Sequence, residues 1–159
     1  MTLADFTAPA LLLPELRSVY TEAAIAELCS LLHREQRVQD LLPFYNSVLS
    51  RELLASTATS DGWALPHARI QGLDRISFAF GRSREPLSWL GNGVGVSQVF
   101  LIAVPEGDTS YLRLIAGLAR LSKDQKRAER LLSASDQQSL FSLFQEISLR
   151  PVGMTTAKV

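Results

Sequence analysis

A single-domain α/β sandwich, with a small mixed β-sheet flanked by helices, is the fold class this sequence predicts. Three observations carry it. The chain has 159 residues, the size of one ordinary domain built on one core. Apolar residues recur at helical spacing in its first and last thirds. Between them lie two segments of strand character, "RISFAFGRS" and "VSQVFLIAVP", the second apolar almost throughout and rich in β-branched residues, as a strand buried on both faces must be. Helices on either side of such a strand can cover it only as layers. Residues 1–150 are expected to form the domain and residues 151–159 a flexible C-terminal tail.

The first twenty residues mix apolar side chains with Pro9 and Pro14 and predict an irregular arm with a short strand or turn near Leu11 to Leu13. Thr21 is the expected N-cap of "EAAIAELCSLLHRE", with Glu22 where the helix dipole favours a carboxylate. His33 falls in the last turn of that helix, a place that suits a surface histidine. Cys29 shares the apolar pattern of Ala24, Ile25, Leu28 and Leu32; being the chain's one cysteine, it forms no internal disulfide and reads as a buried thiol. In the next helix Leu41, Tyr45, Val48, Leu49 and Leu53 define an apolar stripe, with Pro43 in the first turn.

The polar stretch "STATSDG" predicts a loop into a short strand at Trp63 to Leu65. After the strand of Ile76, Phe78 and Phe80, the connection holding Gly91, Gly93 and Gly95 leads into another strand. A dinucleotide-binding loop would instead lead into a helix. A helix carrying Leu112, Ile115, Ala116, Leu118 and Ala119 comes next, with Ser110 or Thr109 as the expected cap, then the amphipathic "DQKRAERLLSA". Ser135 is the expected cap of a last helix through Leu140, Phe141, Phe144 and Ile147. From Ser148 onward no apolar period remains, so fraying is expected.

Sixteen basic residues balance sixteen acidic ones, so no overall field draws the chain to nucleic acid or an anionic membrane. No apolar run reaches the roughly 20 residues of a spanning helix, and no basic, apolar leader opens the chain. A cytoplasmic protein without membrane insertion is the expectation.

One stretch stands out for chemistry: "GWALPHAR", where His67 comes directly after Pro66 at the end of a short apolar run. A histidine at a strand end is commonly a satisfied polar residue at the sheet rim. Here Pro66 restricts Leu65 to extended backbone and so helps fix the direction in which the next side chain points. An imidazole is also an able nucleophile near neutral pH. Two histidines 34 positions apart and one cysteine do not make a zinc site, so no metal and no other cofactor is expected. No Gly-x-Ser-x-Gly elbow occurs, and no acidic pair is marked out by spacing. Histidine as a covalent acceptor remains.

"RELLASTATSDGWALPHAR" resembles the signature of the fructose-mannitol family of enzyme IIA domains of the bacterial phosphotransferase system, in which Arg-Glu and Ser-Thr-Gly precede an apolar-Ala-apolar-Pro-His. The likeness runs from the helix at Thr21, through "VFLIAVPEGDTSYLRLIAGLARL", to Ile147. The stand-alone length is most similar to the nitrogen-regulatory branch. The resemblance implies an α/β sandwich and a phosphoryl group accepted on His67 from HPr or an HPr-like phosphocarrier. Arg51 would grip phosphoryl oxygens with its planar fork, and Ser56 and Thr57 would offer hydroxyls beside the amides of the 56–62 loop. On the residues alone, the favoured reading of Arg51 is a solvated helix residue paired with Glu52 or Glu35.

Two positions depart from the family pattern. Ala58 stands where glycine is common, and Tyr111 where a second histidine commonly faces the phosphorylated ring. Loss of a charge-assisted contact is worth about 1.5–3 kcal/mol, a roughly 10- to 150-fold slower step. The implied onward partners are a IIB domain, or a kinase or transporter regulated by the phosphorylation state. Two other functions stay open: a sugar-transport component donating to a separate IIB chain, and a phosphate-independent protein-binding module that has lost transfer.

Overall fold

The computed structural model of the chain describes residues 1–90 and 93–150; the expected tail over 151–159, and Gly91, lie outside these. Two 3-10 turns, Leu3–Phe6 and Pro9–Leu11, lead into β1 (Leu12–Leu13), α1 (Thr21–Arg34) and α2 (Leu41–Leu54). Then come β2 (Trp63–Ala64), β3 (His67–Ile70), β4 (Ser77–Ser88) and β5 (Gly95–Pro105), followed by α3 (Tyr111–Lys123), α4 (Gln125–Ser133) and α5 (Gln137–Gln145).

The sheet is mixed, as the sequence predicts. The antiparallel pair β4 and β5 forms its centre, β1 runs parallel to β4 on one side, and β2 and β3 both run parallel to β5 on the other. Strand alternation sorts the side chains into two cores. Phe78, Phe80, Phe100, Ile102 and Val104 face α3, α4 and α5, meeting Leu114, Leu118, Leu131 and Phe144. Ala79, Val99, Leu101 and Ala103 face α1 and α2, meeting Ile25, Leu28, Phe44 and Val48. Cys29 belongs to this second core, and burial pushes its thiol up to about 12. Phe100 is central to the first, with Trp63 stacked on it at 4.9 Å between ring centroids and Phe80 at 4.8 Å.

Several local expectations are corrected. Thr21 is the first residue of α1 rather than its cap, and its hydroxyl donates to the Ser88 carbonyl at 2.9 Å. Asp136 rather than Ser135 caps α5, accepting from Ser139 N at 2.7 Å. Ser110 holds the cap position of α3 without a side-chain cap bond; Asp108 Oδ1 accepts from Ser110 N at 2.6 Å instead. At both of these last two helices a carboxylate complements the dipole more strongly than a neutral hydroxyl.

The helix faces depart in part from those the hydropathy pattern suggests. On α2, Val48 is buried and Leu41, Tyr45 and Leu49 pack against the core as expected, but Phe44 and Glu52 are buried as well, while Leu53 is 60% exposed. α3 buries Leu114, Gly117, Leu118 and Leu121, leaving Ala116 and Ala119 exposed. A carboxylate on the inner face of α2, and small residues that carry no facial information on α3, defeat the pattern. Fraying does not begin at Ser148: Leu149 N donates to Met1 O and Leu3 N to Ile147 O, both at 3.0 Å, closing the N-terminal arm against the end of the domain.

Candidate functional site

The site is built on the edge of the sheet. β2 and β3 are one strand interrupted at Leu65–Pro66: Trp63 lies opposite Gln98 and His67 opposite Ile102, so the register advances in step across the gap. Proline has no N–H to give the ladder, but its carbonyl still accepts from Ile102 N at 2.9 Å. Gly62, just before the strand, has a φ of +84°, which side-chain-bearing residues rarely adopt. Its carbonyl accepts from Ser97 N and Gln98 N at 2.9 and 3.1 Å. His67 therefore opens β3 rather than ending a strand. It is presented half-buried from a segment held on both sides of a proline.

Its ring is oriented by the backbone it has just left. His67 Nδ1 lies 3.0 Å from the Leu65 carbonyl oxygen. A carbonyl only accepts, so Nδ1 is the nitrogen that donates, and in the neutral ring the lone pair then lies on Nε2. Leu65 is held in turn: its N–H donates to Thr57 Oγ1 at 2.9 Å. Thr57 is held by Glu52, whose Oε2 accepts from Thr57 N at 2.7 Å and from the Thr57 hydroxyl at 2.9 Å. Trp89 Nε1 donates to the same oxygen at 2.7 Å. Glu52 has no exposed surface.

From the opposite helical layer comes Tyr111, the first residue of α3. Its ring centroid is 6.2 Å from that of His67, with 30° between the planes, so Tyr111 does face the histidine. The Arg69 guanidinium lies 4.5 Å from the centre of the Tyr111 ring and donates to Asp108 O at 2.8 Å. The site thus wraps the edge strand, with Tyr111 on one side and Glu52 on the other.

The remaining sequence-predicted residues divide. Arg51 is exposed in the last turn of α2 and spends one N–H on Ala55 O at 3.1 Å; Glu52 is not its ion-pair partner but turns inward. Thr57 has its one hydroxyl hydrogen committed to Glu52, so it has none to donate to a phosphoryl oxygen. Ser56 Oγ accepts from Ala58 N at 3.1 Å. The expected amide concavity is correspondingly reduced, because the N–H groups of Thr57, Ala58, Thr59 and Gly62 all serve internal bonds. Ala58 imposes no strain: among the described residues Gln36 is the non-glycine residue with positive φ.

Sequence reasoning missed Glu52 and Arg69. Glu52 continues Phe44 and Val48 at a spacing of four, so a carboxylate on a buried face was the available signal. Arg69 lies two residues after His67, and strand alternation puts both on one side. His33, by contrast, is an exposed residue whose Nδ1 meets Val38 O at 3.1 Å. No helix is long and apolar enough to cross a membrane, and no cluster of three metal-ligating side chains occurs, among the described residues.

Comparison with known proteins bears on the chain as a whole. Residues 12–147 match the family model described as "Phosphoenolpyruvate-dependent sugar phosphotransferase system, EIIA 2". The chain is 32% identical over 145 residues to a nitrogen regulatory protein of Bradyrhizobium diazoefficiens, covering 90% of this chain and 94% of that one. It is 33% identical over 126 residues to a 2-O-alpha-mannosyl-D-glycerate-specific EIIABC component of Escherichia coli K12, covering 76% of this chain but only 19% of that one. Among solved structures, nitrogen regulatory protein IIA-Ntr of Neisseria meningitidis superposes with a TM-score of 0.76 at 24% identity, covering 89% of this chain and 98% of that one. Mannitol IIA of Escherichia coli has a TM-score of 0.72 at 18% identity, covering 86% and 97%. These structural likenesses establish the fold.

Proposed function

The chain belongs to the phosphoenolpyruvate-dependent sugar phosphotransferase system EIIA 2 family, and we propose that it is a phosphoryl carrier of regulatory type, phosphorylated on His67. The observation that carries this reading is the bond from His67 Nδ1 to the Leu65 carbonyl. It leaves Nε2 as the free nucleophilic nitrogen without any general base.

In the transfer, the Nε2 lone pair forms a bond to phosphorus as the N–P bond of a phosphohistidine on an HPr-like carrier breaks, the released pair returning to the donor ring. No proton leaves His67, because Nδ1–H stays on Leu65 and is a stronger donor once the ring is positively charged. Such a step is carried by positioning and charge stabilisation. Arg51 and Arg69 are the proposed cations. Arg69, stacked on Tyr111, returns to this side of the site the positive charge that a second histidine would have supplied. Ser56 and Tyr111 contribute polar contacts to the phosphoryl oxygens.

The regulatory reading is supported by the likeness to a nitrogen regulatory protein over 94% of its length. A phosphoryl group adds close to two negative charges at a half-buried rim, enough to change which partners fit there. The partners proposed are an HPr-like phosphocarrier as donor, and a kinase, a transporter or a separate IIB domain downstream, in the cytoplasm. Exposed Leu54, Leu112 and Leu53 lie on the two helices that flank the edge strand, an apolar rim for such contacts.

The test is intact mass after incubation with phosphoenolpyruvate, enzyme I and HPr, in sugar-type and nitrogen-type versions. One acid-labile phosphate on wild type and none on His67→Ala is the expected result. No mass gain with either carrier pair, alongside a control IIA that is phosphorylated, would leave the phosphate-independent binding module as the function.

A further inference from the structure

Among the described residues Glu52 is a carboxylate with no exposed surface at all, and no step of the transfer uses it. Burying a carboxylate is costly unless donors replace its water. The donors that reach it are all neutral: the Thr57 amide at 2.7 Å, the Thr57 hydroxyl at 2.9 Å and the Trp89 indole at 2.7 Å. A leucine at this place would continue the Phe44 and Val48 face and join the core without that cost. What the carboxylate does that leucine would not is to fix the direction of one hydroxyl hydrogen.

We infer that Glu52 is a positioning residue for His67, acting through Thr57 and Leu65 to hold the imidazole in the Nδ1–H tautomer. The chain of contacts is short and each link has one sense. Because Glu52 takes the Thr57 hydroxyl hydrogen, Thr57 Oγ1 faces Leu65 with lone pairs only and accepts its N–H at 2.9 Å. Leu65 is thereby anchored at its N–H, while Pro66 restricts its backbone to the extended region. Its carbonyl consequently points at His67 Nδ1, 3.0 Å away. If the ring took the other tautomer, Nδ1 and the carbonyl would present two lone pairs to each other, and Nε2 would carry a proton in place of the attacking pair. Trp89, in the turn between β4 and β5, ties the same carboxylate to the centre of the sheet. Tautomer control thus reaches His67 from the α1/α2 core, whereas Tyr111 and Arg69 approach from the other side.

This inference rests on His67 as the phosphoryl acceptor, but its test reads the free ring. With ring-15N histidine, His67 in wild type is expected to show one protonated and one bare nitrogen, with the proton on Nδ1; exposed His33 is the internal reference. Glu52→Gln and Thr57→Val are expected to shift His67 toward mixed tautomers without moving His33, and to slow phosphorylation about tenfold, equivalent to one tautomer-scale loss of ~1.4 kcal/mol. Thr57→Ser keeps the hydroxyl and should restore both readouts, which a merely structural role of the loop does not require. Should Glu52→Gln fail to fold, the Thr57 pair decides the matter alone. A His67 tautomer unchanged in folded Thr57→Val overturns the inference. If wild type takes up no phosphate while the tautomer still responds, the transfer function fails and the positioning role stands.

Discussion

Two polar networks in this molecule use similar side chains to opposite ends. In the first, Glu52 is buried and satisfied only by neutral donors. In the second, on the far side of the sheet, Glu146 bridges Arg130 at 2.6 Å and Arg127 at 3.4 Å, and Asp124 pairs with Arg127 at 2.8 Å, all substantially exposed. The exposed network has more charge and borders a cavity of 570 Å³ lined by Arg120, Lys123, Asp124, Arg127 and Glu146. Yet the chemistry proposed for this chain lies with the other. Water competes for every contact of the exposed network, whereas each bond to Glu52 has a definite donor and direction that nothing replaces if it is lost. The proposed function therefore rests not on size of cavity or number of ion pairs but on a buried carboxylate one hydroxyl away from a histidine's backbone partner.

The strongest way to break this comparison is to remove both carboxylates in turn. Glu52→Ala leaves the Thr57 amide and the Trp89 indole without an acceptor in a closed space, and is expected to cost about 2–4 kcal/mol. Thermal unfolding monitored by circular dichroism should register a fall of several degrees. Glu146→Ala should move the same transition far less. Equal falls would mean that burial does not distinguish the two networks.

The next test acts on rate rather than stability. Arg69→Gln keeps a planar head on Tyr111 and removes the charge; it is expected to slow phosphoryl transfer to His67 about tenfold, roughly 1.4 kcal/mol in the barrier, with an unchanged unfolding midpoint. Arg69→Lys should recover only part of the rate, since an ammonium stacks less well on the ring. A full rate in Arg69→Gln would assign the charge to Arg51 alone.

The share of this that is legible in the sequence is set by what hydropathy can encode. The layered α/β fold and the central place of β5 are legible because "VSQVFLIAVP" is apolar on both faces, which few environments permit. His67, the proposed acceptor, is marked out in the sequence by its proline. Glu52 is only hinted at, by its spacing from Phe44 and Val48, because a carboxylate there still reads as exposed until its donors Thr57 and Trp89 are known, and Trp89 is 37 residues away. The same reasoning explains the inner turn of Thr57: a hydroxyl beside a histidine loop reads as a phosphate ligand unless its buried partner is seen. Tyr111 is legible only as a question, since packing of α3 against the edge strand decides what it faces. Arg69 is hidden in plain view by alternation within β3, a period that four residues are too few to display.

A smaller effect separates the two sides by reagent access. Cys29, its thiol pushed up to about 12 by burial, has a folded pKa above that of the unfolded chain. Its stabilising contribution is therefore complete below the ordinary thiol range and is lost as pH rises toward 12. At a mildly alkaline pH a thiol reagent is expected to leave Cys29 unmodified in the folded protein and to label it fully in denaturant. Prompt labelling of the folded chain would show that the α1/α2 core opens readily, and with it the support of Glu52.

The smallest effect belongs to the exposed network, and its sign is fixed by the direction of the shifts. A side-chain bond from Arg130 holds Glu146 below the usual carboxylate range, and bonds from Arg127, its backbone N–H first, do the same for Asp124. Groups whose folded pKa is depressed stabilise the fold above the ordinary carboxylate range and lose that contribution as pH falls through the folded value. Acid should therefore erode stability below about pH 4, and Arg130→Ala should flatten that dependence while barely changing the midpoint at neutral pH. High salt should mimic the substitution, because exposed pairs are screened at a Debye length of about 3 Å in 1 M salt. The bonds that hold His67 through Glu52 should be indifferent to the same salt. A transfer rate that fell with salt while the His67 tautomer stayed fixed would place the electrostatic sensitivity in the encounter with the donor rather than in the ring.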